Sequence, residues 1–224
     1  MKKMTWRKFF YILLGLAMLL VLGALYILYL VRSVPERYYN ELQRPPYVHQ
    51  DPVEELLEVA EQVQSDIRFG DDLDFEITEK QINGWLATNL ESNPSVSLPA
   101  GIKKPRLFLD DQGQQLFFTI ERSRFSSAIS IHLTVHLTTE PNVVEVRLKD
   151  IRAGSLPIRI KRVFDEIESA MARSGVDFKW KAGTDRTVGI VRIPTEVRVK
   201  RDRQLTVTGL EFGKGKVRVT AEVD

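Results

Sequence analysis

Residues 128–138 read Ala128-Ile129-Ser130-Ile131-His132-Leu133-Thr134-Val135-His136-Leu137-Thr138. Apolar and polar side chains alternate along the stretch. Ile129, Ile131, Leu133, Val135 and Leu137 fall on one side, and Ser130, His132, Thr134, His136 and Thr138 on the other. Successive strand residues point to opposite faces, so this pattern predicts a strand with one dry and one wetted face. Such alternation belongs to antiparallel sheets, because parallel strands are covered on both faces and read as continuous apolar runs. Pro141-Asn142 makes the next turn, and Val144, Val146 and Leu148 resume the pattern with charged residues opposite. Upstream, residues 106–110 and 115–122 flank a turn at Asp111-Gln112-Gly113. A β-meander therefore occupies the middle of the chain.

Helical periodicity brackets the meander. Val53, Leu56, Leu57, Ala60, Val63 and Ile67 form one apolar stripe, predicting a helix over 52–69 with Asp51 as its cap and Gly70 as its stop. Leu73, Phe75 and Ile77 alternate with Asp74 and Glu76, as in a half-buried strand. Thr78-Glu79-Lys80-Gln81 is a capping box that opens a helix carrying Ile82, Trp85, Leu86 and Leu90. Residues 93–105, with three prolines, read as a loop. A second amphipathic helix is expected over 157–174, capped by Ser155 and ended by Gly175, with Ile160, Val163, Phe164, Ile167 and Met171 inward. Strands are expected at 187–193, 195–200, 204–208 and 216–223, with Gly209, Gly213 and Gly215 in the last turn. The fold class is α+β, with a curved antiparallel sheet packed on two amphipathic helices.

The N-terminus is of another kind. From Phe9 to Val31 no charge interrupts the apolar residues. As a helix this run would extend roughly 34 Å, slightly more than a bilayer's hydrocarbon core. Phe9, Phe10 and Tyr11 stand at one end and Tyr26 and Tyr29 near the other, as interfacial aromatics do. Lys2, Lys3, Arg7 and Lys8 precede the run and Arg32 follows it. That bias places the N-terminus in the cytoplasm and the rest outside. The run is too long for a signal-peptide core and ends without a small-residue cleavage site. The expected division is a cytoplasmic tail and transmembrane anchor over 1–32, a juxtamembrane stalk over 33–50, and an extracytoplasmic α+β domain over 51–224. Tyr38, Tyr39 and Tyr47 of the stalk are expected at headgroup level.

Charge and composition exclude several classes. Residues 1–32 hold five of the 32 basic residues and no acid, so the remaining 27 face 30 acids. A near-neutral outer domain argues against nucleic acid as a partner. Without cysteine there is no disulfide, thiol nucleophile or thiolate metal site. His132 and His136 share a face but sit roughly 13 Å apart along a strand, too far for one ion. No metal and no cofactor is expected. No Gly-x-Ser-x-Gly elbow, Walker loop or His-Glu-x-x-His is present, so no catalytic residue is assigned and the chain is not read as an enzyme. Basic side chains cluster at Arg159, Lys161, Arg162 and Arg173, and at Arg198, Lys200, Arg201 and Arg203. Such clusters suit anionic lipid headgroups beside a membrane, but the favoured reading is an ordinary solvated face balanced by Asp165, Glu166 and Glu168. A sheet curved around a helix leaves either a packed core or an elongated apolar groove suited to an acyl chain. Trp85, Phe117, Phe118, Phe164 and Met171 are the candidate wall residues of such a groove.

Two stretches carry a resemblance. They are Phe75-Glu76-Ile77-Thr78-Glu79-Lys80-Gln81-Ile82-Asn83, and Arg152-Ala153-Gly154-Ser155-Leu156-Pro157 ahead of a helix. In this order, behind a short anchor, they resemble the YpmS-like group of bacterial membrane-anchored proteins. More distantly they resemble the tubular lipid-binding (TULIP-like) exported domains, over about residues 51–224. The motifs are structural and transfer no catalytic residue. The resemblance implies an anchored extracytoplasmic domain that binds lipid or another hydrophobic ligand. The alternative is a structural or scaffolding subunit that docks on an envelope protein.

Overall fold

The computed structural model describes residues 6–90, 98, 101–111, 113–122, 125–158, 161–173, 175–198 and 202–224. The N-terminal helix, α1, runs Trp6–Arg32 and carries no acid or base between Lys8 and Arg32. Two short turns of helix follow at once, α2 (Glu36–Leu42) and a 3-10 turn at Pro46–His49. Then come α3 (Gln50–Phe69), β1 (Leu73–Thr78) and α4 (Glu79–Thr88). The meander is β2 (Ile102–Asp110), β3 (Gly113–Arg122), β4 (Phe125–Leu137) and β5 (Val143–Ala153). A two-residue strand β6 (Leu156–Pro157) leads to α5 (Lys161–Arg173). The chain ends in β7 (Asp177–Trp180), β8 (Val188–Arg192), β9 (Glu196–Arg198), β10 (Asp202–Gly213) and β11 (Lys216–Val223).

The class is α+β, and every strand pairing is antiparallel. The strands form two open sheets rather than the single sheet expected. One has the order β1-β11-β10-β9, the other β2-β3-β4-β5-β8-β7 with β6 beside β5. The two amphipathic helices accordingly serve different sheets. Val63 and Ile67 of α3 pack on Leu73, Val207, Ala221 and Val223 of the small sheet. Phe164 and Ile167 of α5 pack on Phe118, Ile129, Ile131 and Ile151 of the large one. On the solvated face of the small sheet, Asp74 pairs with Arg218, and Glu76 with Lys216 at 2.8 Å.

Several local readings shift. α3 begins at Gln50, so Asp51 lies within its first turn, and no side chain caps it. Its end is as expected: Gly70 is left-handed (φ 82°) and its N–H donates to the Asp66 carbonyl at 2.8 Å. The capping box at Thr78 and Gln81 forms, with both reciprocal bonds. β2 begins at Ile102, inside the expected loop, because a bulge between Lys103 and Arg106 absorbs Pro105. Gly209 is not in the last turn. It sits at a bulge within β10, where a Cβ would strike the Thr220 hydroxyl. Strand β7 is absent from the sequence reading, since Asp177-Phe178-Lys179-Trp180 is too short to show a period.

Two joints hold the sheets together. Asn142, left-handed at φ 59° and 2 % exposed, turns β4 into β5. Its Nδ2 donates to the Leu205 carbonyl at 2.6 Å and its Oδ1 accepts from the Val207 N–H at 2.7 Å. The other joint covers the free edge of β2. Asn83 of α4 donates to the Leu107 carbonyl and accepts from the Leu107 N–H, both at 2.7 Å. Glu79 accepts from the Leu109 N–H at 2.7 Å, and the Leu109 carbonyl accepts from Gly215 N–H of the small sheet's hairpin at 3.0 Å. An edge strand left bare is a template for unwanted pairing, and here helix side chains occupy it.

Asn142→Ala strands a buried N–H and a carbonyl, each worth about 1–3 kcal/mol, and leaves in the left-handed region a residue that tolerates it less readily than asparagine. We expect a loss of roughly 2–5 kcal/mol in urea unfolding. Asn142→Gly should recover only the backbone part. Losses below about 1 kcal/mol in both variants would show that the two sheets are not joined there.

Candidate functional site

The site is built from the apolar face of the large sheet and the end of α1. Side chains of one parity on β3 and on β4 make the face, and on β5 a register shift opposite His132 and Leu133 brings Leu148 to it along with Ile151 and Ala153. Phe118, Ile129, Ile131, Ile151 and Ala153 are buried there. Ile102, Leu116, Ile120, Leu133 and Leu148 around them are partly buried. α5 lies on this face through Phe164 and Ile167. Phe164 stands edge-on to Trp180 (5.5 Å between centroids), and Trp180 in turn meets Phe178 at 4.8 Å.

Val31, at the end of α1, packs into the same cluster. The contact depends on the turn between β5 and β6. Gly154 is left-handed there (φ 58°) and its N–H donates to the Ala128 carbonyl at 2.7 Å. A Cβ on Gly154 would fall against the Leu30 carbonyl oxygen and within 2.7 and 2.8 Å of those of Val31 and Ser33. Only glycine lets the helix end approach so closely. The last carbonyls of a helix have no partners within it and need outside donors. Ser155 N–H donates to Leu30 O at 2.9 Å, Ser127 Oγ to Val31 O at 2.7 Å, and Ser33 Oγ to Leu30 O at 2.7 Å. Ser33 has one hydroxyl proton and uses it on Leu30, so Ser155 Oγ donates in the 2.7 Å contact between the two hydroxyls. Ser155, expected to cap the second amphipathic helix, thus serves the first helix of the chain. That second helix is described from Lys161 on, and residues 159–160 before it lie outside the described residues.

The segment after α1, expected to be a juxtamembrane stalk, packs part of its side chains against the domain. Tyr38 is fully buried, stacked on Phe117 at 5.4 Å, and its hydroxyl donates to the Lys104 carbonyl at 2.8 Å. That carbonyl belongs to the β2 bulge, where Lys104 is left-handed at φ 52°. Burial pushes its phenol pKa up, against the opposing influence of the Thr119 hydroxyl and the Arg106 charge. Arg37 pairs with Glu79 at 3.0 Å and lies 4.4 Å over the Phe108 ring. Tyr39 and Tyr47 are exposed. Glu41 and His49 are both buried, and Glu41 pairs with Arg44 at 3.0 Å.

Of the five residues expected to line a groove, the fold brings Phe118 and Phe164 together. Phe117 belongs to the other face, with Tyr38, Phe108 and Ala128, because neighbours along a strand point opposite ways. Trp85 is partly buried on α4, the helix that guards the β2 edge. Met171 is partly buried on α5, outside the cluster around Phe118. His132 and His136 lie on the polar face, opposite Asp150 and Glu145. Among the described residues no group of three His, Cys, Asp or Glu side chains could hold a metal. Arg159, Ile160, Lys200 and Arg201 lie outside the described residues, as do the side chains of Lys161, Arg162, Val163, Glu166 and Arg198. Gly154, Ser127 and Ser33 were not legible as a site, though Gly154-Ser155 stood inside a quoted motif.

Over the described stretch Leu16–Arg32, no single helix is long and apolar enough to cross a membrane. Leu16–Arg32 and Glu36–Leu42 pass that test of length and composition only when taken together, across a bend of 51°. The second member of that pair has its inner face, Tyr38 and Glu41, buried in the domain. Compared with protein-family models, curated proteins and solved structures, the chain matches none.

His49 gives a pH test of this packing. Burial lowers its pKa below the ordinary value near 6.5, helped by Arg106 and Arg44 and opposed by Glu41. As pH falls below about 6.5 the unfolded chain takes up a proton that the folded one refuses, so stability is lost on acidification from there down to the folded pKa. The urea midpoint should fall between pH 7.5 and 5.5, and His49→Gln should flatten that slope. An unchanged slope in the variant would place the effect elsewhere.

Proposed function

We propose that this is a membrane-anchored, non-catalytic domain that binds lipid or another hydrophobic ligand on the apolar face of its large sheet. α1 is the anchor. Its apolar run from Phe9 to Val31 is flanked by Lys2, Lys3, Arg7 and Lys8 before and Arg32 after, which favours a cytoplasmic N-terminus and an extracytoplasmic domain. The large apolar side chains of α1 from Leu16 to Tyr29 are well exposed, from 45 % at Leu28 to 71 % at Tyr29, as suits a helix solvated by lipid. One observation carries the ligand reading. Val31 ends that exposed apolar surface and also belongs to the cluster of Phe118, Ile129 and Ile131. The apolar side of the helix therefore adjoins the apolar face of the sheet at Val31, which supports a path between them for an acyl chain.

The scaffolding alternative rests on other residues. Tyr47, Leu57 and Phe69 are 69, 49 and 71 % exposed on the 3-10 turn and α3. These flank the small sheet's helix and suit a protein partner more than a chain-shaped ligand.

The readings separate by photolabelling. The full chain in vesicles containing a phospholipid with a diazirine near the acyl terminus should give adducts on β3, β4 and α5, around Leu133, Leu148 and Phe164, besides those on α1. Adducts confined to α1 would contradict the ligand reading.

A further inference from the structure

We propose that α1 is a strut clamped to the large sheet, so that tilt and rotation of the helix are carried to the domain instead of being absorbed by a tether. The inference does not rest on the ligand reading. A tether needs free residues between its ends, and this chain has almost none. Leu30 and Val31 are hydrogen-bonded to Ser155 and Ser127, and Ser33 to Ser155. Val34 and Pro35 follow, the proline fixed at φ −56°, and Arg37 and Tyr38 are already held by Glu79, Lys104 and Thr119. The clamp grips on two sides of the sheet. Val31 enters the cluster of Phe118 and Ile129, whereas Tyr38 enters that of Phe117 and Ala128 on the opposite face. Rotation of the helix about either contact would pull the other out.

Gly154 is the point where this clamp is most easily broken. The atoms that a Cβ would meet are all backbone carbonyl oxygens of the helix end, which cannot swing aside as a side chain would. An alanine there pushes the helix off its donors. The carbonyls of Leu30 and Val31 then need other partners, and the coupling is lost.

Pulsed electron resonance on the full chain in bilayer nanodiscs tests this. The sequence has no cysteine, so Leu20→Cys on α1 and Thr139→Cys at the β4–β5 turn carry the only two spin labels. One narrow distance is expected. Adding Gly154→Ala should widen it at least twofold, and Ser127→Ala, which adds no atoms, should widen it less. A broad distribution in the unaltered chain overturns the proposal whatever the variants do. So does a narrow one that both substitutions leave unchanged.

Discussion

The carbonyls of Leu30 and Val31 end a helix whose side chains from Leu16 to Val31 are apolar on all sides, and they must find hydrogen-bond donors. Most helices solve this with water or a glycine of their own. Here the donors lie some 95 to 125 residues away along the chain, on Ser127 and Ser155. The distance closes only because Gly154 has no side chain. From that contact the position of α2 follows, then the burial of Tyr38, and then the place of the 3-10 turn against α4. Gly84 of α4 approaches that turn closely enough that a Cβ would lie 3.2 Å from the His49 carbonyl.

The same logic of unmet backbone groups explains the rest of the architecture. Two sheets of four and seven strands leave edges and a seam. The edge at β2 is met by Asn83 and Glu79, and the seam by Asn142 and by Gly215. All four positions use either an amide or carboxylate side chain that mimics a strand, or a glycine that permits a tight turn. Burial of apolar area supplies the driving force, but these polar joints decide which faces meet.

Much of this was legible in the chain. Alternation at Ile129–Leu137 identified the strand and its two faces, since a period of two is imposed by the backbone. The Thr78 capping box and the Gly70 stop were readable because their chemistry is local. What could not be read was long-range. Phe117 and Phe118 looked like one wall until their strand was placed between two layers. Ser155 looked like the cap of the next helix, because a serine before a helical pattern is the usual sign. That a serine and a glycine at 154–155 receive the carbonyls of residues 30 and 31 has no signature in spacing. The motif Arg152–Pro157 carried the resemblance, and its physical content is this joint.

The central claim is that the first helix ends inside the domain. The pair Ser33→Cys and Ser155→Cys tests it most directly, because the native hydroxyls are 2.7 Å apart and a disulfide needs that proximity. Formed in the full chain under mild oxidation, the bond should close rapidly and nearly completely, read as a faster-migrating species on denaturing gels that reductant reverses. A pair that stays reduced, or closes no faster than Ser33→Cys with Thr139→Cys, would mean that the helix does not sit in the Gly154 turn.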